Sequence, residues 1–239
     1  MMNVLLLTDF SENSWNAIKY ALNFYAKTTC NFYLLHVNRL SYLATGDIPY
    51  VPTQAEIENL YVQPKKKQLK ALLKQISIEL PENKNHKFFT LTDYNFFIES
   101  IRKYVKEKNF DVIVMGTKGA SGLKEHLVGS NTGDVITKVK CTTLVVPEKA
   151  EYKTIKEIAF PTDFNLSYDI SALQPIADIL EQKKSTLGVL HIMENGERIN
   201  AEQQQNKEIM EAFFDGFDYS FHFITNKKTE SAIQFFVES

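Results

Sequence analysis

Between Val112 and Lys138 a short β-branched run, Val112-Ile113-Val114-Met115, leads into a segment holding five of the chain's nine glycines, and then into Val135, Ile136 and Val139 at helical spacing. The order is strand, glycine-rich loop, helix, which belongs to α/β sheets with buried parallel strands. It also has a chemical use. Backbone N–H groups at a helix start lack partners within the helix and sit at the positive end of its dipole, so phosphate oxygens are favoured there. Gly116 is expected to end the strand where a Cβ would point at a ligand, Gly119 to allow a positive-φ turn, and Gly129 to precede the cap residue Ser130.

Two familiar phosphate loops are excluded by spacing. No Gly-Lys-Ser/Thr stands at Walker distance, and the glycines do not form G-x-G-x-x-G. What stands is Gly116-x-x-Gly119, nine residues, then Gly129-Ser130, after Asp111-Val112-Ile113-Val114-Met115 and before a helix. This arrangement resembles the ATP-binding signature of the universal stress protein family and matches all its fixed positions. The resemblance implies an adenine nucleotide, ATP or else ADP or AMP, with Mg possible alongside it, in contact with Leu7, Thr8, Asp9, Val37, Met115, Gly116, Lys118, Gly119, Gly129, Ser130, Asn131 and Thr132. In that reading the adenine meets the backbone of Val37 and the ribose hydroxyls meet Asp9. Ser130, Asn131 and Thr132 donate to phosphates, and Lys118 and Lys124 are available to neutralise them. Leu7 stands where family members often carry proline. Asp9 has a structural alternative as a turn residue capping the first helix, a task Ser11 also suits. His36 reads as a buried strand histidine, with no second ligand at metal spacing.

The rest of the chain fits an open parallel five-stranded sheet with helices on both faces, Rossmann-like and similar to adenine nucleotide alpha hydrolases. Strands are expected at residues 4–8, 32–37, 87–91, 111–115 and 142–146, with helices marked by Trp15, Ile18, Leu22 and Tyr25, by Leu69, Leu72, Leu73, Ile76 and Leu80, and by Phe97, Ile98, Ile101, Tyr104 and Val105. Residues 40–64, with Gly46, Pro49 and Pro52, read as a break in regular structure. Alternating strands and helices give right-handed parallel crossovers. The resemblance implies the order 3-2-1-4-5, which places Leu7-Thr8-Asp9 opposite Met115-Gly116 at the switch point, where such sheets bind ligands.

Beyond a polar connector at residues 148–154 the chain begins again. Phe160-Pro161-Thr162-Asp163-Phe164 repeats Leu6-Leu7-Thr8-Asp9-Phe10, and Val189-Leu190-His191-Ile192 repeats Leu34-Leu35-His36-Val37, with Asp-to-His spacings of 28 and 27 residues. Such a repeat implies duplication. Residues 1–147 therefore form a complete domain, and residues 155–239 a second copy that stops near the third helix, around Ser231 to Val237. The second copy has no counterpart of the glycine loop, so one nucleotide site per chain is expected. Its first strand becomes an open sheet edge. Pro175 is expected to kink the repeated first helix.

Composition narrows the function classes. A net charge of −2 offers no basic footprint for nucleic acid, and Lys65-Lys66-Lys67 reads as a solvated helix face. Cys30 and Cys141 form no C-x-x-C, and no apolar run approaches the length of a membrane span. A soluble, cytoplasmic protein without a membrane or nucleic-acid partner is expected. No general base, nucleophile or metal cluster is recognisable near the loop, so the expected role is regulatory nucleotide binding with at most slow hydrolysis. An adenylate-cleaving enzyme and a non-enzymatic interaction module are the alternatives. The resemblance also implies a homodimer through the fifth strand, Thr142 to Val146, which has no mate within the chain.

Overall fold

Residues 4–7 and 112–116 are buried along their length, as aliphatic runs are when strands flank them on both edges and helices cover both faces. The computed structural model describes residues 1–39, 53–117, 129–166, 168–193, 198–225 and 229–238. These form two compact units, Met1–Tyr152 and Lys153–Ser239.

In the first unit the order is β1 (Met2–Leu7), α1 (Glu12–Phe24), β2 (Cys30–Arg39), α2 (Gln54–Glu56), a π-helical turn (Ile57–Val62), α3 (Gln63–Glu79), β3 (His86–Asn95), α4 (Phe97–Lys108), β4 (Val112–Gly116), α5 (Ser130–Lys138) and β5 (Thr142–Val146). The sheet runs β3-β2-β1-β4-β5, and every neighbouring pair is parallel. Strand order reverses between β1 and β4, where Leu6 lies opposite Val114. Alternate residues of the central strands, Leu5, Leu7, Leu35, Val37, Ile113 and Met115, pack with Ile101 of α4 and Val135 of α5 into one core layer.

Two expectations are corrected here. Regular structure resumes at Gln54, well before Pro64, because Thr53 and Glu56 form a capping box and the helix then widens: the Gln63 N–H reaches the Glu58 carbonyl five residues back. That wider turn admits the Pro64 ring, which would clash in a regular helix interior. Strands β2 and β3 also run ten residues each, further than their apolar cores. Their polar ends pair as Val37 with Asp93, Asn38 with Tyr94 and Arg39 with Asn95. The Asn38 amide ties that extension by donating to Asp93 O at 3.3 Å and Thr92 Oγ1 at 3.4 Å.

The segment after β5 lies along α1. Asn16 Nδ2 donates to the carbonyls of Pro147, Glu148 and Ala150, and the Tyr152 ring meets Tyr20 and Phe24 edge-on at 5.5 and 6.3 Å.

The second unit contains β6 (Glu157–Pro161), α6 (Ile170–Lys183), β7 (Thr186–Met193), α7 (Ala201–Phe213), β8 (Tyr219–Thr225) and α8 (Thr229–Glu238). Its described strands form one parallel sheet in the order β6-β7-β8. This is the first three βα turns of the first unit over again, around a core of Phe164, Leu173, Leu180, Val189, Met210 and Phe214. With no described strand on its far side, β6 keeps Ile158, Ala159 and Phe160 only half-buried. Helix α6 is assigned as one element through Pro175.

Candidate functional site

The carboxyl ends of β1, β2 and β4 open into a cleft of ≈ 560 Å³, counted out to its mouth, in the size range of small-molecule sites. Leu7, Thr8 and Asp9 enter it from the end of β1, Leu35, His36 and Val37 from β2, and Met115 and Gly116 from β4. Ser14 of α1, Phe97 of α4, and Asn131 and Thr132 of α5 complete the lining. Eight of the residues expected from the sequence thus meet in one cleft at the switch point. Gly129 and Ser130 stand at the adjoining start of α5 but are not among the lining residues. Lys118, Gly119, Ser121 and Lys124 lie outside the described residues.

The turn after β1 is built by hydrogen bonds that recur in the second unit. Thr8 N–H donates to Leu35 O at 3.0 Å, and Thr162 N–H to Leu190 O at 2.9 Å. Phe10 N–H donates to Thr8 Oγ1 at 3.0 Å, and Phe164 N–H to Thr162 Oγ1 at 2.9 Å. His36 Nδ1–H donates to Thr8 O and His191 Nδ1–H to Thr162 O, both at 2.8 Å. Phe10 and Phe164 take positive φ, 65° and 57°, a costly conformation for a bulky residue. Their rings lie over the histidines at 4.7 and 5.0 Å. The Thr-Asp-Phe and His residues are therefore a folding unit first. In it Asp9 accepts from Ser11 N–H at 3.0 Å, while Ser11 caps α1 by accepting from Ser14 N–H.

At the start of α5 three assignments change. Gly129, with φ −58° and ψ 148°, is the cap residue, and Ser130 is the first helical residue. Thr132 is not a phosphate donor: its buried hydroxyl donates to Gly116 O at 3.0 Å and tethers the helix to the end of β4. Gly116 is not kept small for a ligand. A Cβ there would come within 2.6–2.7 Å of the Asn13 side chain, closer than real contacts allow. Gly129 N–H is taken by Thr117 O at 2.7 Å and Thr132 N–H by Gly129 O at 2.9 Å, which leaves the N–H groups of Ser130 and Asn131 as the donors of that turn.

Residues 1–147 match the profile of the universal stress protein family. The chain belongs to this family. Universal stress protein YxiE of Bacillus subtilis is 30% identical over 150 residues, 61% of this chain and 99% of the relative. Universal stress protein MJ0577 of Methanocaldococcus jannaschii is 30% identical over 154 residues, 61% of this chain and 94% of the relative. A solved universal stress protein from Archaeoglobus fulgidus matches 99% of this chain and 84% of its own with a TM-score of 0.71 at 18% identity, so the likeness of fold extends through the second unit.

Four residues of this universal stress protein line the cleft without having been singled out as contacts: Ser14, Leu35, His36 and Phe97. Leu35 shares its strand face with Val37, and that alternation was available as a signal. Ser14 and Phe97 reach the cleft through chain reversals that carry no periodic mark. Lys65 also departs from its expected place on a solvated face. It is half-buried, with Nζ 5.2 Å from the centre of the Phe10 ring, whereas Lys66 pairs with Glu58 at 2.9 Å on the surface.

Burial holds His36 below the ordinary histidine pKa and the Lys65 ammonium pushes the same way, against the Thr8 carbonyl and Asp9. A histidine that protonates less readily when folded contributes stability that is present above its unfolded value of about 6.5 and is lost as pH falls through the lower folded value. The melting temperature should therefore drop between pH 7.5 and 5.5, and drop less in His36→Asn. Parallel slopes for the two proteins would contradict the assignment. Burial pushes the thiols of Cys30 and Cys141 up to about 11, so both stay protonated at neutral pH. Among the described residues no group of three His, Cys, Asp or Glu is placed to hold a metal ion, and no helix is long and apolar enough to cross a membrane.

Proposed function

We propose that the first unit binds an adenine nucleotide, ATP or else ADP or AMP, in the cleft between β1 and β4, one per chain, and that this binding serves regulation rather than turnover. The observation that carries the reading is the convergence of Leu7, Thr8, Asp9, Val37, Met115, Gly116, Asn131 and Thr132 on one cleft, beside the start of α5. Apolar walls from the strand ends suit a base. The Asp9 turn suits hydroxyls, and the N–H groups of Ser130 and Asn131 with the positive helix end suit phosphates, with Mg carried by the phosphates themselves. Membership of the universal stress protein family supports a stress-response setting.

A ligand held only by the folded state stabilises it by about 2.7 kcal/mol at a hundredfold excess over its dissociation constant. That makes nucleotide level readable as the lifetime of the fold or the choice of a partner. For a unit of this size the expected shift is roughly 5–10 °C in melting temperature with saturating ATP. No shift at millimolar ATP would overturn the reading.

The division into residues 1–147, a connector at 148–154 and a second copy at 155–239 is part of the same proposal, as is assembly through β5. That strand is an outer strand of its sheet, half-exposed at Thr143, Leu144 and Val145, and pairing with the same strand of a second copy would satisfy its free edge. Light scattering should return twice the chain mass of 27.5 kDa. A monomer at micromolar concentration would exclude this dimer.

A further inference from the structure

The cleft has two chemical ends. Thr8, Asp9, Ser14 and Asn131 make one side polar, while Leu35, Val37 and Met115 are buried members of the core layer that surface at the other. Phe97, the first residue of α4, packs on that same layer yet stays half-exposed. It supplies the lone phenyl ring among the described lining residues. Nothing in helix initiation asks for it, since α4 starts without a side-chain cap and Phe96 precedes it. An aliphatic wall offers a planar base dispersion alone, whereas an aromatic face adds stacking that is indifferent to which base edge points where.

We propose that Phe97 is the base-stacking residue of this cleft and sets its class of ligand as purine nucleosides and nucleotides, whatever their phosphate number. The proposal rests on the nucleotide reading above and deepens it. Because the ring acts on the base, its removal costs adenosine and ATP the same factor, whereas loss of a phosphate contact penalises ATP alone. Leucine at this position keeps the apolar packing of α4 on the sheet and removes only the ring face.

The test titrates wild type, Phe97→Leu and Phe97→Trp with ATP and with adenosine by calorimetry. Phe97→Leu should weaken both ligands by the same factor, roughly five- to tenfold, and Phe97→Trp should restore them. The introduced indole should also be quenched by adenosine, against the constant background of the chain's one native tryptophan, Trp15, which is buried in the core. Wild-type affinity in Phe97→Leu, loss of ATP binding alone, or an indole blind to adenosine would each overturn the assignment while leaving the nucleotide reading intact. A wild-type protein that binds neither ATP nor adenosine would remove both.

Discussion

Gly116→Val should cost the first unit about 3 kcal/mol and lower its melting temperature by roughly 6–12 °C, with or without nucleotide present. The position ends β4 under α1, and any Cβ there meets Asn13 Nδ2, Cγ and Oδ1 at 2.6–2.7 Å. Asn13 is itself only 7% exposed, so it has nowhere to turn without disturbing the packing of α1 on the sheet. Gly133, four residues into α5, is the contrasting case: nothing stands within 4 Å of a Cβ. Gly133→Ala should therefore stabilise by about 0.5–1 kcal/mol through helix propensity. A double-mutant cycle of Gly116→Ala with Asn13→Ala isolates the clash, because residues in direct contact couple and distant ones do not. An unchanged melting temperature in Gly116→Val would mean that this glycine serves the ligand's approach after all.

Gly129→Asp should do the reverse, keeping the fold and losing the ligand. Gly129 already holds the extended conformation of a cap residue, which any amino acid adopts, and aspartate is among the best caps and favourable to the helix dipole. The melting temperature should stay level or rise. The same carboxylate stands where phosphates are proposed to approach. At an effective dielectric near 20, two unit charges about 4 Å apart repel by about 4 kcal/mol, and even half of that is roughly a thirtyfold loss of affinity. Adenosine, which lacks phosphate, should be little affected. Equal loss of ATP and adenosine would place the phosphates elsewhere in the cleft.

These two glycines mark what the sequence can and cannot convey. Their spacing with Gly119 and Ser130 is a motif, legible at once, and it names the family that the match over residues 1–147 shows. The reason for each glycine is a matter of packing: Gly116 is small for Asn13, a residue 103 positions earlier in the chain. The central strands were legible because burial from both faces demands unbroken apolar runs. The outer ends of β2 and β3 were not, since Asn38, Asp93 and Tyr94 are polar residues that pair through side-chain bonds. Pro64 signals a break by its missing N–H, and only the π-helical turn before it makes a continuing helix possible. Thr132 has the chemistry of a phosphate donor and spends its hydrogen on Gly116 O.

The duplication shows the same division. The repeated Thr-Asp-Phe could be read directly, while its purpose in a half without the glycine signature could not. The structure supplies one: a positive-φ phenylalanine braced on a histidine whose Nδ1–H closes the turn. In the second unit that turn is further secured from α7, where Gln203 donates to Asp163 O and Asn206 to Phe164 O, both at 2.8 Å.

The central claim is that the cleft between β1 and β4 holds an adenine nucleotide, and calorimetric titration of the wild-type chain with ATP tests it most directly. A saturable isotherm with one site per chain of 239 residues, weakened by Gly129→Asp in a protein that melts no lower, is the predicted result. A flat titration up to millimolar ATP, from protein carrying no nucleotide of its own, would contradict it.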